Sequence, residues 1–307
     1  MSKPVIGLAL GSGAARGFSH IGILQVLDEE GIRPDVIAGC SIGAFVGAAY
    51  LTGRLDRLHD WAQALTWREV ARLLDVSLKG GGLFAGAPIE RLMETLGISG
   101  NIEDFDRPFA TVATDYVTGR EEWLREGPVG KAIRASISIP GILTPVELDG
   151  EWFVDGGLVN PVPVSTCRAL GANVIIAVNL NGDLVGRRKP PARSDTANSG
   201  REEMVEQAVQ VLPAGWRQGT ARAVQEFLTP EPARPGYFDV LANSINIMQD
   251  RITRSRLAGE PPHVMVVPRL AAMGPFDFDQ ASMAIKEGRE RARFALPEIR
   301  RALSAEH

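Results

Sequence analysis

Gly39-Cys40-Ser41-Ile42-Gly43 lies between a short apolar run at 36–38 and a second apolar segment at 44–49. This order predicts a strand, a sharp turn with a serine at its apex, and a helix. A serine in such a turn projects its hydroxyl clear of the sheet, and small neighbours let a substrate carbonyl approach the backbone. The stretch therefore predicts a nucleophilic serine at position 41. The alternative is an incidental serine in a glycine-rich turn.

Strand and helix patterns alternate on both sides of this turn. Continuous apolar runs predict buried strands at 5–10, 109–115 and 174–180, and helical patterns separate them. Asp149-Gly150 predicts a tight hairpin between two further strands. Alternating strands and helices form a mostly parallel sheet with helices packed against it. We therefore expect an α/β fold in three layers, α/β/α, with a mostly parallel central sheet.

The 307 residues are expected to form one domain in three parts. The catalytic core extends over about 5–180. The polar segment 181–236 is a variable insertion or a lid-like part, and 237–307 is a helical part that completes the domain. The elements expected beyond residue 180 are helices at 202–212, 216–228 and 239–257, a short strand at 264–267, and a closing helix or helix pair at 279–303 broken at Pro297.

Composition and charge exclude several classes of function. The formal net charge of −4 gives no argument for nucleic-acid binding. No apolar run approaches the roughly 18 residues that a membrane span requires, and the first residues lack the pattern of a secretory signal. The only cysteines, Cys40 and Cys167, give neither a disulfide framework nor metal-ligand spacing. We expect a cytoplasmic protein without metal, cofactor or nucleic-acid partner.

The first strand is followed by Gly11-Ser12-Gly13-Ala14-Ala15-Arg16-Gly17, which leads into a helix. Backbone N–H groups at such a junction form the positive end of a helix and attract anions. The dinucleotide-binding pattern is G-x-G-x-x-G, and Gly17 lies one position beyond its third glycine. The stretch also lacks the Gly-Lys-Ser/Thr of a phosphate-binding loop. The loop is therefore a candidate oxyanion hole, with a further backbone donor at Ile42. A structural turn or a phosphate site remains the alternative.

A serine nucleophile needs a base to take its proton. The chain has four histidines, His20, His59, His263 and His307. A triad in the order Ser, Asp, His would use His263 or His307, but His263 precedes a strand and His307 is terminal. His59 fits an exposed helical pattern. His20 follows the glycine-rich loop, as either a hydrogen-bonded helix residue or a participant in catalysis.

Asp155-Gly156-Gly157 is the best carboxylate candidate, because it follows a strand pattern and its glycines let other groups approach closely. An Asp-Gly turn without catalytic meaning is equally compatible with these residues. An unperturbed aspartate has a pKa near 3.9, so a useful base at Asp155 has to be buried. The residues alone leave the base open between Asp155 and a triad that contains His263.

Three motifs in one order make the chain resemble the bacterial patatin-like phospholipases. Residues 12–17 resemble the glycine-rich oxyanion motif of that family, 39–43 its G-x-S-x-G turn, and 155–157 its Asp-Gly-Gly or Asp-Gly-Ala motif. The segment 136–140 also resembles the stretch that lies in this family between the G-x-S-x-G turn and the aspartate. The resemblance covers about 5–180, and nothing after residue 181 carries a motif of the family.

Ser12 and Ala14 are the departures, since the family usually has glycine at these positions. Backbone donors do not require glycine, so these residues are expected to narrow the approach to the loop rather than abolish its donors. Arg16 either steers an anionic head group or braces the loop.

The resemblance implies a serine hydrolase of lipid acyl esters, similar to a phospholipase A or a lysophospholipase. Ser41 and Asp155 would form its catalytic dyad, with the 11–17 loop and Ile42 as the oxyanion hole. The glycines that support the motifs are Gly39, Gly43, Gly156 and Gly157. The same dyad would serve a thioesterase or a general carboxylesterase. A non-catalytic lipid-binding or regulatory module is the alternative of another class.

Two segments give weak indications of transient contact with a membrane surface, which would make the protein peripheral. The pattern at 216–228 fits an interfacial or lid helix, or a helix packed in the core. The basic residues 187–189 would meet anionic head groups, or form part of a solvated linker. The expected partner is a lipid or acyl-ester substrate, and the sequence does not indicate an oligomeric state.

Overall fold

A sheet of eight strands organises the residues that the structure describes. The structure is a computed structural model, and it describes residues 4–73, 75, 81–184 and 237–305. The segments expected at 187–189, 202–212 and 216–228 lie outside the described residues.

The bounds of the elements follow the expected alternation. The strands are β1 Ile6–Leu10, β2 Val36–Cys40, β3 Gly82–Phe84, β4 Phe109–Asp115, β5 Glu121–Leu124, β6 Gly141–Leu143, β7 Val146–Leu148, β8 Glu151–Asp155, β9 Val174–Val178 and β10 Val264–Val266. The α-helices are α1 Ser19–Glu29, α2 Ile42–Leu51, α3 Leu55–Ala64, α4 Trp67–Arg72, α5 Ala87–Leu96, α6 Val129–Ser136, α7 Val164–Ala169, α8 Tyr237–Gly259 and α9 Ala281–Ala305. Short 3₁₀ helices occupy Ala14–Phe18, Ile102–Asp104, Gly156–Leu158 and Phe278–Gln280.

The central strands are parallel and adjoin in the order β10-β9-β1-β2-β4. The sheet continues with antiparallel β8 and β7, and β5 pairs antiparallel with β4. β3 and β6 form a separate parallel pair. Leu10 of β1 lies beside Gly39 of β2, so the loop after β1 and the turn after β2 leave the same edge of the sheet. The expected mostly parallel sheet is confirmed.

Alternate residues of the central strands face two different helical layers. Leu8 and Leu10 of β1 belong to the large core that α1, α2 and α9 complete. Ala9 belongs to a second core to which α7 contributes. Successive side chains of a strand point to opposite faces of the sheet, so one strand supplies both cores. This gives the three-layer α/β/α arrangement that the sequence predicts.

Several boundaries differ from the sequence-based expectation. The pattern at 55–74 predicts one helix, but the structure has two, α3 and α4. The run at 143–148 predicts one hairpin strand, but Leu143 belongs to β6 and β7 begins at Val146. Pro297 lies inside the continuous helix α9. Leu296 and Ile299 are buried on either side of this proline, and their packing holds the helix against the core. Among the described residues, no helix combines the length and the apolar character needed to cross a bilayer.

Helices α1 and α9 cross at two glycines. A Cβ atom added at Gly22 would lie 2.0 Å from the Ile285 carbonyl oxygen, and one added at Gly288 would lie 2.0 Å from the Ser19 carbonyl oxygen. The two backbones therefore touch without intervening side chains. Because α1 follows directly on the 11–18 segment, this crossing also fixes the position of the loop after β1.

Gly288→Ala is expected to lower the free energy of unfolding by about 2 kcal/mol, because overpacking outweighs the gain in helix propensity of up to about 1 kcal/mol. Urea unfolding measures the difference. Gly130→Ala in α6 is the matched control, since a Cβ there meets only Met93 Cε at 3.8 Å. Equal stability changes in the two variants would contradict the close crossing.

Candidate active site

Ser41 alone connects the end of β2 to the start of α2. Its dihedral angles, φ 56° and ψ −123°, are unfavourable for a residue with a side chain. The residues two positions before and after Ser41 are glycines because the packing leaves no space for a side chain there. A Cβ at Gly39 would lie 2.4 Å from the Ala44 Cα atom. A Cβ at Gly43 would lie 2.2 Å from the Leu10 carbonyl oxygen. The strand–turn–helix predicted for this stretch is therefore present, with the serine at its apex.

The ends of β2 and β8 meet on one edge of β4. Cys40, the last residue of β2, pairs with Val112 of β4. β8 runs in the opposite direction and ends at Asp155, which pairs with Ala113. β5 occupies the other edge of β4 at both positions, so β2 and β8 share the remaining edge. This pairing brings Ser41 and Asp155 together although 114 positions separate them in the sequence.

Ser41 and Asp155 form a direct hydrogen bond. The Ser41 hydroxyl donates to Asp155 Oδ2 at 2.8 Å, and the Gly157 N–H donates to Asp155 Oδ1 at 2.7 Å. The serine is 3% exposed and the aspartate 2% exposed. Burial raises the pKa of Asp155 to about 6. The hydrogen bonds from Ser41 and Gly157 favour the ionised form and lower the pKa, but their effect is smaller than that of burial. The carboxylate is thus a stronger base than an aspartate in water.

Two serines at the end of α6 hold both residues of this pair. Ser136 Oγ accepts from the Ser41 N–H at 2.8 Å and donates to the Val112 carbonyl at 2.6 Å. The Ser138 carbonyl accepts from the Asp155 N–H at 3.0 Å. Sequence reasoning noted this segment only as part of a resemblance. The available signal was two serines spaced by two positions after a short helix.

Arg134 supports the same segment from inside the protein. Its guanidinium donates to Ser138 Oγ at 2.7 Å and to the carbonyl oxygens of Ala85 at 2.6 Å and Thr144 at 3.0 Å. Burial lowers its pKa, and the charges of Glu90 and Asp75 oppose that effect. The helical pattern of the sequence did not indicate that this arginine is buried.

Two N–H groups of the loop after β1 have no acceptor among the described residues. The N–H groups of Gly11, Ser12, Ala15 and Arg16 donate to the carbonyls of Val178, Pro161, Pro275 and Gly13, respectively. Within the described residues, the N–H groups of Gly13 and Ala14 have no hydrogen-bond acceptor. Ala14 has a positive φ of 50°. The loop therefore presents two adjacent N–H donors at the end of the sheet where the parallel strands have their carboxyl ends.

Close contact at Gly17 joins this loop to the serine turn. A Cβ at Gly17 would lie 2.2 Å from Ile42 Cγ2, so the two segments pack directly on each other. Ile42 occupies the first turn of α2, where N–H groups have no partner within the helix. The contact places the first turn of α2, which follows Ser41, beside the loop that carries the N–H groups of Gly13 and Ala14.

Arg16 is buried and braces the loop. Its Nε donates to the Gly13 carbonyl at 3.1 Å, and its Nη2 donates to Asn246 Oδ1 at 2.9 Å. Burial lowers its pKa to about 10, and the charges of Asp183 and Asp277 oppose that effect. Of the two roles considered for Arg16, these contacts support the bracing role.

The described histidines make no hydrogen bond to Ser41 or Asp155. His20 is buried and donates from Nε2 to the Gly11 carbonyl at 2.8 Å, and burial lowers its pKa to about 4. His263 Nδ1 accepts from the Ile175 N–H at 3.0 Å, beside the start of β9 and away from the carboxyl edge. His59 contacts Gln63 and Asp60 on α3, and His307 lies outside the described residues.

A narrow cleft opens beside the loop, and the empty space in it and at its open mouth amounts to about 410 Å³. Helix α8 supplies one wall of this cleft, although its sequence carries no motif. The backbone of Gly13 and Ala14 lines one side of the cleft. The hydrocarbon side chains on the other side are those of Ile142, Leu241, Ile245 and Phe276.

Comparison with known proteins finds a likeness to one family and to several individual proteins. Residues 8–168 match the patatin-like phospholipase family. An uncharacterized NTE family protein of Mycobacterium tuberculosis is 34% identical over 337 aligned residues, which cover 96% of this chain and 92% of that protein. Human patatin-like phospholipase domain-containing protein 6 is 34% identical over 182 residues, which cover 57% of this chain and 13% of that protein.

Among solved structures, VipD from Legionella pneumophila aligns with 99% of this chain over 67% of its own, at 12% identity and a TM-score of 0.44. That likeness is too distant to bear on the site. The family match contains the serine turn, the loop after β1 and Asp155, and the mycobacterial relative extends the likeness over nearly the whole chain. The chain belongs to the patatin-like phospholipase family.

Proposed function

We propose that the protein is a serine hydrolase of lipid acyl esters, of the phospholipase A or lysophospholipase kind. Family membership supports lipid hydrolase activity. The observation that carries the finer proposal is the 2.8 Å hydrogen bond from the Ser41 hydroxyl to Asp155 Oδ2. A nucleophile and a base within hydrogen-bond reach form the minimal unit of covalent acyl transfer.

The proposed reaction has two steps. Asp155 takes the Ser41 hydroxyl proton as Oγ attacks the acyl carbon, and the proton then passes to the alcohol as the ester C–O bond breaks. In the second step Asp155 takes a proton from water, which attacks the acyl-enzyme. The bond from the acyl carbon to Oγ breaks, and Ser41 regains its proton. Both half-reactions pass through a tetrahedral oxyanion.

The free N–H groups of Gly13 and Ala14 support the assignment of the 11–17 loop as the oxyanion hole. We assign the Ile42 N–H as a third donor, because Ile42 touches Gly17 and follows the nucleophile. A donor of this kind typically contributes about 10²- to 10³-fold to the rate, since it meets charge that develops only in the transition state. The buried Arg16 keeps the carbonyl of Gly13 turned away from this position.

The apolar wall of the cleft supports an acyl chain as the bound group. On α8, Val240, Ile247 and Met248 are 51%, 44% and 47% exposed among the described residues. These side chains support transient contact with a membrane surface, from which a lipid would enter the cleft.

Ser41→Ala is expected to abolish hydrolysis of p-nitrophenyl esters and phospholipids, together with labelling by a fluorophosphonate probe. Asp155→Asn is expected to lower kcat by at least about 10³-fold, because the amide cannot accept the proton. Asp149→Asn is the matched control, since Asn-Gly suits the same hairpin turn.

Full activity in Asp155→Asn and loss in His263→Ala would replace the dyad with a triad. Turnover of thioesters alone would favour the thioesterase alternative, and an unlabelled, inactive wild type would favour a binding module.

The rate of hydrolysis is expected to rise with pH and to be half-maximal near pH 6. Only the ionised form of Asp155 can take the proton, and burial raises its pKa to about 6. The measurement is kcat/KM for a soluble ester from about pH 4.5 to about pH 9. A half-maximal point near pH 4, the value for an exposed aspartate, would contradict a buried base.

The stability of the wild type relative to Asp155→Asn is expected to fall as pH rises, which is opposite to the trend expected for the rate. The pKa of Asp155 is about 6 in the folded protein and lies near 3.9 in an unfolded chain. The wild type therefore loses stability as pH rises between these values, by about 3 kcal/mol at most. Asp155→Asn should unfold at higher urea concentration than the wild type at pH 8, and the advantage should vanish near pH 4. An equal difference at both pH values would show that ionisation of Asp155 is not its cause.

A further inference from the structure

Gln249 of α8 links three segments around the site. Its side chain is 5% exposed. Its Oε1 accepts from Asn181 Nδ2 at 2.8 Å, and its Nε2 donates to Ser12 Oγ at 3.3 Å. One amide therefore connects the segment after β9 and the loop after β1 to helix α8.

The same amide lies against the turn that follows Asp155. A Cβ added at Gly157 would lie 2.2 Å from Gln249 Nε2 and 2.8 Å from Asp155 Oδ1. Nε2 and Oδ1 are therefore at most about 5 Å apart, the sum of these two distances. A side chain at Gly157 would displace the Gln249 amide, which occupies that space. The second glycine of the Asp-Gly-Gly stretch is thus explained by a residue of a distant helix.

Other charges near Asp155 are paired or belong to groups that brace the backbone. The buried and half-buried titratable groups on the surrounding elements include Cys40, Arg16, Arg134, Glu121, Asp183, Asp250 and Arg256. Glu121 pairs with Arg256 at 2.6 Å, and Asp250 pairs with Arg254 at 2.8 Å. Burial raises the pKa of the Cys40 thiol well above its usual value, so this group is neutral.

We propose that Gln249 is a positioning residue of the hydrolase site, whose neutral amide covers the Oδ1 side of Asp155 and ties Ser12 to α8. It acts through Asp155 and the loop, not on the substrate, and the inference rests on the proposed function. A carboxylate at this position would repel Asp155. A hydrocarbon side chain would leave Asn181 Nδ2 without its acceptor.

Two substitutions are expected to shift the pH dependence in opposite directions. Gln249→Glu keeps both partners, because a carboxylate accepts from Asn181 Nδ2 and from the Ser12 hydroxyl, but it places a negative charge near Asp155. The midpoint of the acid limb of kcat/KM should rise by about one pH unit. Gln249→Ala admits water beside Gly157, so the midpoint should fall toward that of an exposed aspartate and kcat should decrease.

Asn243→Asp is the matched control, because it adds the same charge at an exposed position of α8. Its acid limb should coincide with that of the wild type. If Gln249→Glu and Gln249→Ala fold with native circular dichroism and keep the wild-type midpoint, Gln249 only packs, and the inference is wrong. If one variant fails to fold, the other decides the question.

A titration that needs no turnover separates this inference from the proposed function. The ¹³C resonance of the Asp155 carboxyl group, assigned by its loss in Asp155→Asn, reports the pKa of that group directly. Opposite shifts of this pKa in the two Gln249 variants support the inference even if every ester tested is stable. Unchanged values overturn it even if hydrolysis by Ser41 is established.

Discussion

The shared edge of β4 is the constraint on which the site depends. β2 and β8 approach each other along this edge from opposite directions, and their carboxyl ends meet at Val112 and Ala113. Neither strand can continue, so the backbone groups at the junction need partners other than a neighbouring strand. Ser136 and Ser138 supply them, by accepting the N–H groups of Ser41 and Asp155. The gap in the sheet is thereby closed by the end of α6, with the side chains of Ser41 and Asp155 held beside each other.

Local conformation and burial at this junction both oppose folding. Ser41 has a positive φ, and Asp155 carries a carboxyl group that is almost fully removed from water. The surrounding core compensates for both costs, because β1, β2 and β9 are buried along their whole length. Hydrogen bonds from Ser41 and Gly157 satisfy both oxygens of Asp155. A rigid sheet thus maintains a conformation that its own residues disfavour.

The parts of the fold and site that depend on neighbouring residues were predictable from the sequence. The serine turn, the strands around it and the glycine-rich loop follow from apolar periodicity and from the positions of glycines. Asp155 was a weaker prediction, because an Asp-Gly turn has the same local sequence, and the resemblance to a family was needed to single it out. Its role remains a proposal.

The supporting residues could not be predicted in this way, because their partners are distant in sequence. Ser136 contacts Ser41 across 95 positions, and Gln249 contacts Ser12 across 237. Arg134 and Gln249 lie on helices whose patterns do not distinguish a buried polar residue from an exposed one. Pro297 was expected as a break, but buried residues on both sides keep α9 continuous. In each case tertiary packing overrides the local signal.

The crossing of α1 and α9 has a consequence for the order of events during synthesis. Gly288 rests on the Ser19 carbonyl, at the start of the helix that carries the loop after β1. In a growing chain, Ser41 and Asp155 are therefore synthesised long before α9, the helix that fixes the loop after β1. Contacts between segments so far apart form late, since the intervening chain must first be ordered. The nascent chain thus contains Ser41 and Asp155 before the loop after β1 is fixed, and completion of the site that we propose awaits translation of residues 281–305.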